Sequence, residues 1–243
     1  MSSPLIIRDS RAVLIWLTIC LLFVALMVLV GGYTRLSGSG LSITQWKPIH
    51  GIIPPINAEE WQEEFSAYQA TPQYKLVNSD MSLAGFKEIF WPEYIHRVLG
   101  RIIGVIFLLP LLVFVVRKSI SKSFFWRMTG IFALGGLQGT IGWIMVKSGL
   151  QDIPYVNHTK LALHLSLAFT IFALILWAIL DVRNHHQSSV IRHPSSTDYK
   201  LWFFLLFIQI IFGGLMAGSH AGLIYNTWPT MNGEFFPSEL LSS

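Results

Sequence analysis

The sequence predicts an all-α polytopic membrane protein, with one complete four-helix transmembrane bundle followed by the first helix of a second, pseudo-symmetric bundle. Three observations predict it. Of the 243 residues, 53% are apolar and only 12% are charged, whereas soluble domains carry about 25% charged residues. Five apolar stretches are long enough to cross a hydrocarbon core about 30 Å thick. One stretch bearing glycine and tryptophan recurs at a fixed offset late in the chain.

The first span is Ala12–Gly32. It is too long for a signal-peptide core and no small-residue cleavage site follows, so it reads as a retained helix. The second runs from about Glu93 to Val116, the third from Met128 to Val146, the fourth from His158 to Leu180 and the fifth from Tyr199 to Ala217. Basic residues set the orientation. Arg8 and Arg11 precede span one, Arg117, Lys118, Lys122 and Arg127 lie between spans two and three, and Arg183, Arg192 and Lys200 lie between four and five. The long loop 33–92 instead dilutes its lysines and arginines with Glu59, Glu60, Glu63, Glu64, Asp80 and Glu88. The dense clusters belong on the cytoplasmic side, which puts the amino terminus inside and the loop outside. The net charge of +4 therefore reads as topology, and no nucleic-acid partner is expected. Cys20 is the sole cysteine, which excludes an internal disulfide and a cysteine-based metal site.

The outer loop carries its own helical signals. Asn57 can cap a helix on which Trp61, Phe65 and Tyr68 recur at i, i+4 and i+7, and a second short helix is predicted to start at Ser82 with Phe86 and Phe90 on one face. Such aromatic faces suit anchoring at the membrane interface, or a lid over something bound at the outer surface.

The repeat pairs "GGYTRLSGSGLSITQWKPIHGIIPP" (31–55) with "GGLMAGSHAGLIYNTWPTMNGEFFP" (213–237) at an offset of 182, matching Gly31/Gly213, Gly32/Gly214, Ser37/Ser219, Gly40/Gly222, Leu41/Leu223, Trp46/Trp228, Gly51/Gly233 and Pro55/Pro237. It implies a duplicated four-helix unit, divided as residues 1–180 (the amino-terminal bundle with its outer loop) and residues 181–243 (a cytoplasmic loop, the fifth span and the start of an incomplete second bundle). On this reading the counterparts of His96 and His164 fall near positions 278 and 346, beyond the sequence, and the chain is expected to be a truncated product or a fragment.

Ionisable groups inside spans are expensive and mark function by default. His96 lies about one turn into span two and His164, in "LALHLSLAF", about two turns into span four; both spans enter from outside, so the imidazoles share a depth. Such a pair can ligate one heme iron from both faces, or hydrogen-bond across helices. His158, at the lip of span four, is an alternative ligand, while His50, His185, His186 and His193 read as solvated. Arg97 and Arg101 either snorkel to the interface or pair with carboxylates such as heme propionates. Glu93, three residues before His96, shares its helix face and can exchange a proton with a bound group, or it merely complements the helix dipole. Gly100 with Gly104, and Gly135 with Gly139, form small-xxx-small pairs that suit tight helix packing.

These residues resemble a known family. "EYIHRVLGR" is similar to the Glu-Tyr-x-His-Arg motif of heme A synthases, and so are the first repeat copy, "EEWQEEFSAYQATPQY", "FKEIFWPEYIHR", "LALHLSLAF" and "GLIYNTWPTMNGEFFP", covering about residues 12–237. The resemblance implies two pseudo-symmetric four-helix bundles and oxidation of a methyl substituent of heme O to the formyl group of heme A, by successive hydroxylation, for cytochrome oxidase. It implies Glu93 as the catalytic carboxylate, with His96 and His164 flanking the heme O substrate as axial candidates and Arg97 and Arg101 beside it. A heme b cofactor is implied in the carboxy-terminal bundle, with no ligand for it in this chain. Further implied partners are heme O synthase, cytochrome oxidase assembly factors and an electron acceptor of unknown identity, in a bacterial cytoplasmic or mitochondrial inner membrane. Having no cysteine pair in its first outer loop, the chain looks like the cysteine-lacking type. The competing reading is a membrane b-type cytochrome or heme-delivery module that binds heme without altering it.

Overall fold

The computed structural model describes residues 10–46, 50–151, 153–186 and 196–235; Arg8, Lys47, Arg192, His193 and Pro237 lie outside them, as do the side chains of His50, His185 and His186. The chain forms α1 (Ser10–Leu36), a 3-10 turn (His50–Ile52), α2 (Ala58–Gln69), α3 (Pro72–Val77), α4 (Leu83–Val116), α5 (Lys122–Gly149), α6 (His158–His186), α7 (Ser196–Ser219) and the single turn α8 (Ala221–Ile224). Among the described residues there is no strand. Helices α1, α4, α5, α6 and α7 are each long and apolar enough to cross a membrane, as the five predicted spans require.

Neighbour relations position the site. Helix α1 packs against α4 and α6, and α5 packs against the same two, so the four close a ring in which α4 and α6 stand on a diagonal. Helix α7 lies outside the ring against α6. The fully buried apolar core occupies one end of the ring: Val13 to Val24 of α1, Phe107 to Phe114 of α4, Phe124 to Ile131 of α5 and Ile171 to Val182 of α6. Trp16 anchors it, with its ring 5.1 Å from Phe107 and 5.5 Å from Phe114 and its indole N–H donating to the Ile106 carbonyl. Arg127 and Asp181 join α5 to α6 at that end by a salt bridge, and the Trp177 indole donates to the same carboxylate. The core stops two to three turns short of the two candidate histidines.

A second, smaller core stands outside the ring. Asn57 caps α2 as predicted, accepting from the Glu60 N–H, and Trp61, Phe65 and Tyr68 pack on Phe86 and Phe90 of α4. The aromatic stripe is therefore folded inward, with Tyr68 fully buried, and does not anchor the loop in a lipid interface. The Tyr68 hydroxyl donates to Gln73, whose amide donates in turn to the Gly38 carbonyl and ties α3 to the segment after α1. Burial pushes the Tyr68 phenol up, which keeps it in this donor role.

The structure corrects two expectations. The helix capped by Ser82 does not end before the second span; it continues through Pro92 as one helix of 34 residues. Proline removes one ladder bond, but Phe86 and Phe90 stay in register with the α2 stripe, and the Thr34 hydroxyl, shared with Val30 O, reaches the Pro92 carbonyl at 3.3 Å. At about 50 Å the helix is too long for the bilayer alone, so its first turns stand clear and carry the aromatic core. The second correction concerns glycine. A methyl group at Gly104, Gly135 or Gly139 would meet nothing within 4 Å, so these are not close helix contacts. The tight seam is between α7 and α6, where a Cβ at Gly214 would fall 2.8 Å from the Ala162 Cα and one at Gly218 would fall 2.6 Å from the His158 Cα. Because the obstacle is backbone, Gly218→Leu should destabilise the protein by about 1–3 kcal/mol and lower its unfolding midpoint in detergent, whereas Gly104→Ala should leave the midpoint unchanged; equal midpoints for the two variants would refute this seam.

Candidate functional site

Glu93 is only 3% exposed and its carboxylate accepts four hydrogen bonds. Oε2 takes the Ser42 hydroxyl at 2.8 Å and the Ile43 N–H at 2.9 Å, while Oε1 takes Arg97 Nε at 3.1 Å and Nη2 at 2.6 Å. Arg97 lies one turn further along α4 and also donates to the Ile43 and Gln45 carbonyls. A charge-assisted guanidinium–carboxylate contact, here with two donors on one oxygen, is among the stronger polar contacts available; it clamps residues 42–45 over the end of the ring.

The rest of that segment is fixed by packing. Leu41 sits where a Cβ of Gly149 would be, 2.8 Å from the Leu41 Cδ2, and Trp46 stacks on Trp143 of α5 with ring centroids 5.1 Å apart. On one side of Arg97 opens a cleft of about 420 Å³ lined by Ile43, Glu60, Glu64, Tyr94, Arg97 and Arg101. On the other side a cleft of about 200 Å³ lies between Trp46, Trp143 and Lys147. Arg101 is within electrostatic reach of Arg97 and Tyr94, and Tyr94 donates to the Ile52 carbonyl, holding the far wall of the larger cleft.

Beneath this cover the two histidines occupy the diagonal helices, at the end of the ring beyond the buried apolar core. They lie within electrostatic reach of each other. Each imidazole rests in a glycine notch on a neighbouring helix. A Cβ at Gly31 of α1 would approach His96 Nε2 to 3.0 Å, and a Cβ at Gly142 of α5 would approach His164 Cε1 to 2.9 Å. Gln138 of α5 contacts the His164 ring, and His164 Nδ1 is a buried nitrogen with no hydrogen-bond partner. A buried imidazole nitrogen without a partner, within electrostatic reach of a second imidazole, is a donor set that fits an iron-bearing ligand. Among the described residues no cluster of three or more histidine, cysteine or acidic side chains offers an alternative metal site. His158 is exposed at the start of α6.

Sequence reasoning nominated Glu93, His96, Arg97, Arg101 and His164 as candidates, and the structure puts all five at one end of the ring. It missed Ser42, Gln138, Gly31 and Gly142. Gln138 carried a usable signal, being an amide in the middle of an apolar span; Ser42 carried none, since it meets Glu93 only through the fold. The repeat copies also touch: Arg35 donates to the carbonyl of Ala217, its own counterpart at the 182-residue offset, at 2.8 Å, and bonds His220, whose ring packs on Tyr155.

The fold and the site define a class: a multi-span helical membrane protein with two imidazoles on diagonal helices under a latched outer segment. The chain belongs to the COX15-CtaA family of cytochrome oxidase assembly proteins, which it matches over residues 14–243. It is 49% identical over 235 residues to a heme A synthase of Paramagnetospirillum magneticum, covering 95% of this chain and 66% of that protein. It is 46% identical over 230 residues to a heme A synthase of Caulobacter vibrioides (95% and 67%) and 49% identical over 235 residues to one of Allorhizobium ampelinum (96% and 64%). The chain thus spans about two-thirds of the length of these curated relatives. No solved structure matches it.

The latch yields a prediction. Arg97→Gln leaves a buried carboxylate without its cation and should destabilise the protein by about 3–5 kcal/mol. Glu93→Gln in the same chain should restore part of that loss. Denaturant unfolding of the two single variants and the double variant measures the coupling, and purely additive effects would rule out the pair as the clamp.

Proposed function

We propose that the chain carries the heme O site of a heme A synthase, which oxidises a methyl substituent of heme O to the formyl group of heme A for cytochrome oxidase biogenesis. The observation that carries this reading is the imidazole pair on diagonal helices with a buried carboxylate one turn from His96. The heme supplies the iron and the methyl group that is oxidised. His96 and His164 bind it from two sides, and the glycine notches leave their rings room to do so. Arg97 and Arg101 both line the larger cleft, where their guanidinium groups can pair with a propionate. Glu93 takes a proton from the reacting substituent or its attacking water. All four lone-pair positions of Glu93 are occupied, so one donor must leave before it does so, and Ser42 on the covering segment is the least strongly held of them.

The amino terminus is assigned to the cytoplasmic or matrix side by the distribution of basic residues, in a bacterial cytoplasmic or mitochondrial inner membrane. Heme b would be held at the counterparts of His96 and His164, near positions 278 and 346 and outside this sequence, and would supply the path for electrons to an acceptor. Heme O synthase and cytochrome oxidase assembly factors are the partners this role requires.

A second reading, heme binding or delivery without oxidation, is favoured by one observation: a carboxylate saturated by Ser42, Ile43 and Arg97 can be wholly structural. Glu93→Gln separates the two. The variant should lose heme A formation from heme O by at least 100-fold while still copurifying with heme, as measured by pigment extraction and chromatography. Persistent heme A formation would exclude Glu93 as the proton acceptor and leave the structural reading.

A further inference from the structure

The His164 ring lies against α5, which partners one of its nitrogens and leaves the other without a hydrogen bond. Gln138 and Gly142 are one helical turn apart, so the ring spans from one to the other: Nε2 is 3.2 Å from the Gln138 amide nitrogen, and the Cε1–Nδ1 edge lies over Gly142, whose Cβ would fall 2.9 Å from Cε1 and 3.5 Å from Nδ1. The chemistry of the contact is fixed by a second bond. The same Gln138 nitrogen lies 3.0 Å from the His164 backbone carbonyl, which only accepts. The group facing it is therefore the amide NH2 and not the amide oxygen, and its other hydrogen points at Nε2. A neutral imidazole that accepts at Nε2 carries its proton on Nδ1. That Nδ1–H is buried without an acceptor, and the Gln138 Oε1 is buried without a donor. Two orphaned polar atoms at one contact make it a holding position and not an optimum.

We propose that Gln138 is a positioning residue that parks His164 against α5 by occupying Nε2, and that it has to release that nitrogen before His164 binds iron. The inference rests on the heme reading of the site. It gives Gln138 a purpose that a simple packing role does not. A heme that is substrate must leave as product, and an axial nitrogen with a competing intramolecular donor rebinds its parking place when the iron departs. His96 has a glycine notch and, among the described residues, no side-chain donor like Gln138 at its ring, so the two sides of the site are unequal: His96 is the steadier ligand and His164 the exchangeable one.

The test uses the full chain in detergent, with hemin as the probe. Gln138→Met keeps the side-chain length and removes the donor; Gly142→Ala keeps the donor and fills the notch. Both should raise the low-spin, six-coordinate fraction in the optical and electron paramagnetic resonance spectra and slow hemin release about fivefold, the expected effect of deleting one hydrogen bond that competes with ligation. Nitrogen-15 resonances of labelled histidine in the hemin-free protein give a readout independent of binding: His164 should be protonated at Nδ1, and Gln138→Met should shift it toward the Nε2–H form. His164→Ala is the control for the underlying reading. If His164→Ala changes the hemin spectrum while Gln138→Met and Gly142→Ala match the parent in spin state, release rate and tautomer, the parking role is wrong and the heme site stands. If His164→Ala leaves the hemin spectrum unchanged, the ligand role of His164 fails and the parking role fails with it.

Discussion

The buried pair of Glu93 and Arg97 is the contact on which the outer half of the protein depends. It joins a membrane helix to a stretch of irregular backbone, and it does so with donors that the backbone itself supplies: the Ile43 N–H enters the carboxylate while the Ile43 and Gln45 carbonyls receive the guanidinium. Irregular backbone at the edge of a membrane has no regular ladder to satisfy it; here a single ion pair one helical turn long does so for residues 42–45. Everything above the histidines follows from where that segment is pinned. Leu41 reaches Gly149, Trp46 reaches Trp143, and the two clefts on either side of Arg97 are what remains between the segment and the helices.

The ring of helices divides into two halves built on different physics. One half is packed apolar side chain, held by Trp16, Phe107, Met128 and Ile175, and needs nothing further. The other is held by polar contacts and by glycines that bring an imidazole up to a neighbouring backbone. Helix α4 belongs to both halves and to the aromatic core outside them, so the position of His96 is set jointly by packing below it and by α2 above it.

Much of this was legible in the sequence, for identifiable reasons. Apolar length located the five spans, because a bilayer imposes a length that no other environment requires. Asn57 and the stripe of Trp61, Phe65 and Tyr68 read correctly because a cap and a periodicity are local signals. The chemical residues stood out because charge and imidazole are expensive inside an apolar span. What failed was non-local. The short helix after Ser82 and the second span read as separate elements, whereas packing of Phe86 and Phe90 on the α2 stripe belongs to one continuous helix. Gly104, Gly135 and Gly139 carried the spacing of a packing motif, yet the glycines that matter, Gly31, Gly142, Gly214 and Gly218, are distinguished only by what stands opposite them. Ser42 sits 51 residues from the carboxylate it meets, and no window of sequence joins the two.

The end of the ring where the apolar core stops has a consequence for stability. A ligand that binds the folded histidine end and not the unfolded chain makes occupancy and folding linked equilibria: a tenfold excess of ligand over its dissociation constant adds about 1.4 kcal/mol to the folded state. The buried, partnerless Nδ1 of His164 and Oε1 of Gln138 are groups that such a ligand can satisfy, so ligand supply and the stability of that end would rise together.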